Sequence, residues 1–237
     1  MSIADNIQRV QTNITAACER AGRDPAAVTL IAVSKTHPAS MILEAVEAGL
    51  QHFGENRVEE SESKIPAVNV DTPITWHMIG HIQSRKAKDI PPLFQVVHSV
   101  DTVKLADKLS RLMIERGGQL DVLIEVNISG EESKSGVAAS GWQTDPRTRD
   151  RVWDEMRQIV ALPGLNVRGL MTMAPVVPTM EESRPVFVGL RDLRDRLSES
   201  LGVPLPDLSM GMTDDYPVAI EEGATLVRIG RAIFGER

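Results

Sequence analysis

Eight apolar, strand-like segments alternate with helix-like ones along this chain, and no other feature narrows the possible fold as much. In order they read TLIAVSK, QHFGE, TWHMIG, FQVVHSV, DVLIEVNI, VRGLMTM, PDLSM and TLVRIG. Between them lie stretches with helical spacing, such as ASMILEAVEAG, VDTVKLADKLSRLMIERG and EESRPVFVGLRDLRDRLSES. Most of the strands are apolar on both faces, as parallel strands covered by helices must be. The alternation predicts an α/β chain closed into one (β/α)8 TIM barrel. Residues 4–21 add a helix ahead of the first strand, with Ile7, Val10, Ile14 and Ala17 on one face and Gly22 at its end. An open doubly wound sheet is the rival, but the G-x-G-x-x-G turn of dinucleotide-binding sheets is missing after the first strand. At 237 residues the chain fills one barrel, and it is read as a single domain over residues 1–237.

Composition removes several classes of function. A formal charge of −7 argues against a nucleic-acid or anionic-membrane surface. The short basic run SRKAK at 84–88 is expected in the first turns of a helix. The one cysteine, Cys18, leaves no internal disulfide and is expected as a packed thiol of the N-terminal helix. The opening MSIADNIQRV lacks the basic-then-apolar profile of a secretory leader, and no run reaches transmembrane length. A cytoplasmic location is expected.

In a barrel of this kind, chemistry gathers at the C-terminal ends of the strands. The first strand ends in Ser34-Lys35, and by the strand period Lys35 shares a face with Ile31 and Val33. If that face is the interior, the amine enters an apolar mouth, where desolvation favours a neutral nucleophile. A lysine stretching its stem along the wall to reach water is the plain alternative. In the last strand, Leu226, Arg228 and Gly230 alternate on one face, so a guanidinium also points into the mouth. An interior salt bridge to a glutamate such as Glu125 would explain it equally well. Ser209 and Gly211, in LSMGMTDD, offer a hydroxyl and a bare backbone where barrels often bind phosphate. Together these residues outline a site for a carbonyl-bearing phosphate compound. A cofactor-free aldolase acting on a sugar phosphate through Lys35 is one reading of it.

Other residues carry less. His77 and His81 are four apart, but Gly80 interrupts them and no third ligand is evident, so no metal site is expected. His98 is expected to hydrogen-bond within the barrel mouth. Ser34 and Ser209 have no His/Asp partners at informative spacing, which leaves a hydrolase triad unsupported. The segment VAASGWQTDPRTRD, at 137–150, reads as a polar surface loop leading into a helix.

The motifs AVSKTHP, FGENRVEE, WHMIGHIQSRK, HSVD, EVNISGEESKSG, GLMTMAP and LSMGMTDDYPVAIEEGATLVRIGRAIFG occur in the order found in the pyridoxal phosphate homeostasis proteins. Over nearly its whole length the chain resembles that family, whose barrel is similar to the N-terminal domain of alanine racemase and to fold-type III decarboxylases. The resemblance implies a fold-type III barrel with Lys35 carrying pyridoxal 5′-phosphate (PLP) as an internal aldimine. It places Asn56 beside the cofactor and Arg228 against the pyridine nitrogen. It gives the phosphate to Ser209 and the backbone around Gly230 and Arg231, with Gly211 allowing close approach. One departure is Arg85, in IQSRK, where the family usually reads LQSNK; that position is expected on the rim.

Physical chemistry bears on whether such a protein is a carrier or a catalyst. PLP stabilises carbanions best when its ring nitrogen is protonated, and an arginine only donates, leaving that nitrogen unprotonated. Alanine racemase uses a similar arginine, but it also draws a second base, a tyrosine, from a partner subunit's other domain. This chain lacks that domain, and its one tyrosine, Tyr216, either lies near the mouth or packs at the start of a helix. Exposed PLP suits transfer better than protected carbanion chemistry. The expectation is therefore a monomeric, non-catalytic PLP-binding protein of vitamin B6 homeostasis that supplies PLP-requiring apoenzymes. A PLP-dependent amino-acid racemase is the alternative.

Overall fold

Each of the eight segments forms a strand in the computed structural model, which describes residues 2–236. The strands are β1 (Thr29–Val33), β2 (His52–Glu55), β3 (Thr75–Met78), β4 (Val96–Val100), β5 (Leu120–Asn127), β7 (Leu165–Met171), β8 (Asp207–Ser209) and β9 (Leu226–Ile229); β6 (Val137–Ala138) is a short addition. Neighbours are parallel throughout, β4 pairs with β5, and β1 pairs with β9 as well as with β2, so the sheet closes. The helices are α1 (Ile3–Arg20), α2 (Ala39–Glu47), α3 (Val58–Ala67), α4 (Val103–Glu115), α5 (Pro146–Val160), α6 (Arg184–Leu201), α7 (Tyr216–Glu221) and α8 (Arg231–Phe234). This is a TIM barrel with an added N-terminal helix.

Local chemistry explains the element ends. Ser2 and Asp5 form a reciprocal capping box, Ser2 Oγ accepting from the Asp5 N–H and Asp5 Oδ2 from the Ser2 N–H, which satisfies two orphan donors at the start of α1. The buried stripe of α1 is Ile3, Ile7, Val10, Ile14, Ala17 and Cys18. Burial pushes the Cys18 thiol up, so it stays a packing group. Asn6 Nδ2 donates to the Ile233 carbonyl at 2.9 Å, tying α1 to α8.

Two expectations change. Residues 137–150 are not simply a surface loop: Val137, Ala139 and Trp142 are buried because β6 pairs in parallel with the end of β5 and pulls the segment inward. Asp145 then caps α5, accepting from the Arg147 and Thr148 N–H groups. The basic run at 84–88 lies in a 3-10 turn, Ser84–Asp89, rather than in the first turns of an α-helix. Among the described residues no helix is long and apolar enough to cross a membrane.

Candidate functional site

Strand alternation sorts side chains between the barrel interior and the helix layer. Along β1 and just past it, Val33 and Lys35 line a cavity while Ser34 turns outward and is fully buried. Past β2, Asn56 lines the same cavity, whereas Glu55 points to the helix layer. The cavity holds about 560 Å³ at the C-terminal ends of the strands, within the range of small-molecule sites. Ile79, Met173, Thr213, Arg228, Gly230 and Arg231 complete most of its wall. Gly80 sets how closely β2 and β3 approach there: a Cβ on it would lie 2.2 Å from the Asn56 carbonyl oxygen.

The residues on either side of Lys35 are fastened by a buried network. Ser34 Oγ donates to Glu55 Oε1 at 2.7 Å, and Lys64 Nζ, on α3, donates to the Ser34 carbonyl at 3.0 Å. Lys64 also donates to Glu55 Oε1 at 3.0 Å and to Glu60. Glu60 in turn accepts from the Thr36 N–H at 2.6 Å. Thr36 has φ of 67°, the one non-glycine in the left-handed region among the described residues, a conformation that costs energy for a β-branched side chain. Burial pushes the Glu55 carboxyl up, outweighing its bonds to Ser34 and Lys64. Glu60 is less buried, and there the Lys64 and Thr36 bonds overcome desolvation and hold it below the usual range.

The opposite wall is built around Arg228, which is 4% exposed. Its Nη2 donates to the Thr172 carbonyl at 2.9 Å and its Nη1 to Ser209 Oγ. Its backbone N–H donates to the Gly211 carbonyl at 3.0 Å. Ser209 also lies 2.8 Å from His98 Nδ1. Among the described residues no carboxylate forms an ion pair with Arg228, so the Glu125 salt bridge is not formed. Desolvation lowers the guanidinium to about 10, which keeps it charged at neutral pH, with weaker pulls from Glu125 and Asp215 in the other direction. Burial, and then repulsion from Asp101, push Glu125 up to about 7.

With this geometry in place, comparison with known proteins identifies the relatives. The family model described as the alanine racemase N-terminal domain matches residues 6–237. The pyridoxal phosphate homeostasis protein of Aquifex aeolicus is 42% identical over 237 residues, which is 100% of this chain and 99% of that one. The protein of the same name from Pseudomonas aeruginosa is 45% identical over 236 residues, covering 100% of this chain and 96% of the relative. The chain belongs to the pyridoxal phosphate homeostasis protein family. A solved structure of similar shape, PipY of Synechococcus elongatus with PLP bound, is 34% identical with a TM-score of 0.84, covering 99% of this chain and 100% of that one.

In this homeostasis-family barrel, five of the seven residues singled out from sequence meet at the cavity: Lys35, Asn56, Arg228, Gly230 and Arg231. Ser209 and Gly211 do not line it. Ser209 is fully buried beneath it, and Gly211 at φ of 93° packs against α7, where a Cβ would fall 2.6 Å from that of Ala219. Both residues instead hold Arg228, one by its side chain and the other by its backbone. Thr213, missed from sequence, stands in the wall where a hydroxyl was expected from Ser209; the signal was its place just beyond the β8 end. Tyr216 is 4% exposed and packs at the start of α7, outside the lining. His81 is exposed and pairs with Asp101 at 3.0 Å, while His77 is interior, so the two share no site. Arg85 is exposed and outside the lining, as a rim position should be.

Proposed function

We propose that this chain binds PLP in the cavity through Lys35 Nζ and serves as a non-catalytic holder of the cofactor. The observation carrying this reading is one cavity with an amine on one wall and, on the other, a guanidinium that has no ion-pair partner among the described residues. Between them Asn56 Oδ1 is buried and has no hydrogen-bond partner, an acceptor that a bound polar ligand can satisfy. Bound PLP supplies a reactive aldehyde and an electron-withdrawing pyridine ring. Lys35 offers the amine for the aldehyde, and Arg228 offers an N–H donor for the ring nitrogen. Thr213 and Arg231, the latter ion-paired with Asp214 in the same wall, stand where the phosphate would lie.

The same residues argue against turnover. Arg228 remains a donor that does not give up its proton near neutral pH, so it holds the ring nitrogen as an acceptor. Tyr216, the chain's one tyrosine, is packed away from the cavity and supplies no second base there. The reading extends to a monomer that supplies PLP to apoenzymes.

The test is an absorbance spectrum of the purified protein, then borohydride reduction and peptide mass mapping. A visible band and a pyridoxyl group on Lys35 are expected, with both lost in a folded Lys35→Ala variant. A reducible adduct that persists in that variant overturns the lysine assignment. A wild-type protein that takes up no added PLP overturns the function.

A further inference from the structure

One line of hydrogen bonds crosses the barrel interior, where bulky branched residues usually dominate. It starts at His52, half-buried beside a recess of about 360 Å³ at the N-terminal ends of β1 and β2. His52 Nδ1 lies 3.1 Å from His77 Nε2, and His77 Nδ1 lies 2.9 Å from His98 Nε2. His98 Nδ1 then meets Ser209 Oγ at 2.8 Å, and Arg228 Nη1 donates to the same oxygen. The line thus joins the barrel floor to the arginine in the cavity wall.

The donors in this line can be assigned by elimination. Desolvation lowers all three histidines, His77 to about 3 and His98 well below its ordinary value, so the two interior rings are neutral. A neutral imidazole has one donor and one acceptor nitrogen, and a guanidinium has donors only. Ser209 Oγ therefore accepts from Arg228. Its own proton needs an acceptor, and within the buried contacts of this hydroxyl that is His98 Nδ1. His98 must then carry its proton on Nε2 and donate to His77 Nδ1. By the same rule His77 donates from Nε2 to His52 Nδ1.

We propose that His52, His77, His98 and Ser209 form one directional chain, every histidine in the Nε2–H form, which holds Ser209 as the acceptor that orients Arg228. His98 and His77 are then positioning residues for the arginine, although neither lines the cavity. Their link to cofactor binding rests on the PLP reading; the tautomers do not.

The first test uses the unsubstituted apo protein. Long-range 1H–15N NMR of 15N-histidine protein should show His77 and His98 as neutral Nε2–H tautomers across pH 5 to pH 8, conditions set by the ordinary histidine range. Either ring in the Nδ1–H form, or titrating near its ordinary value, overturns the proposal. The second test compares His98→Asn, whose short amide keeps an acceptor where Nδ1 stood, with His98→Phe, which keeps ring volume alone. PLP retention is expected within about threefold of wild type for the first and about tenfold weaker for the second, with a shifted absorbance band. A space-filling histidine predicts the reverse ranking, and that result overturns the positioning role. If wild type binds no PLP, the functional reading fails while the NMR result stands by itself.

Discussion

Lys64 and Arg228 are both buried cations, at 8% and 4% exposure, yet their surroundings differ in kind. Lys64 sits between β2 and α3 with two carboxylates on it, those of Glu55 and Glu60. Arg228 sits in the barrel with a hydroxyl and a carbonyl as its side-chain partners, backed by neutral histidines. A cation whose charge is already matched acts as a fastener, and here it clamps the residues flanking Lys35. A cation given only neutral acceptors keeps its attraction for an incoming anion or ring nitrogen, and the low dielectric around it strengthens that attraction. On the proposed function, the two walls of the cavity thus separate the work of holding the chain from the work of holding a ligand.

Removing the matched cation should break this comparison most visibly. Lys64→Met leaves Glu55, fully buried, without its counter-charge, and should cost about 3–5 kcal/mol in urea unfolding. A loss below about 1 kcal/mol would show that the carboxylate simply takes up a proton at little cost.

The next effect is read as a function of pH. Glu125 is held up at about 7, against 4.5 ordinarily, so the folded protein keeps a proton that the unfolded chain releases first. Its contribution is intact below about 4.5 and is lost as pH rises towards 7, by about 3 kcal/mol in all. Glu125→Gln should flatten that limb of the pH–stability curve. His77 acts with the opposite sign: its contribution is present above 6.5 and lost as pH falls towards about 3. A wild-type curve unchanged between pH 5 and pH 7.5, with an identical Gln variant, would refute the Glu125 assignment.

The smallest change in stability is expected where the change in binding is largest. Arg228→Met replaces an unmatched buried charge by an apolar side chain of similar length, so apo stability should move by under about 1 kcal/mol, or about 3 °C in Tm. PLP retention should fall at least about tenfold in the same variant. A large loss of Tm would mean that the arginine is structural, and the contrast with Lys64 would disappear.

The strands were legible because each is a short apolar run bounded by polar residues, and period 2 then placed Lys35 and Arg228 at the mouth, while Asn56 came from the family resemblance alone. Ser209 shows where that reasoning ends. It has the right parity to face inward, but its depth depends on where β8 stops relative to β9, and that put Thr213 in the wall instead. The Glu55–Lys64 clamp and the histidine line were hidden for a related reason. Their members lie on separate elements and meet only after the barrel closes, so no spacing along the chain announces them. Trp142 was hidden because a two-residue strand, too short to leave a pattern, draws its segment inward.

The pairing of β1 with β9 also has a consequence for biosynthesis. Lys35 leaves the ribosome well before Arg228, Gly230 and the α8 turn that α1 grips. Until β9 exists, β1 is an open edge and the lysine has no opposing wall. The two walls of the cavity therefore come together in one step, when β1 and β9 meet, and a nascent chain without β9 lacks the pocket in which the proposed aldehyde chemistry would run.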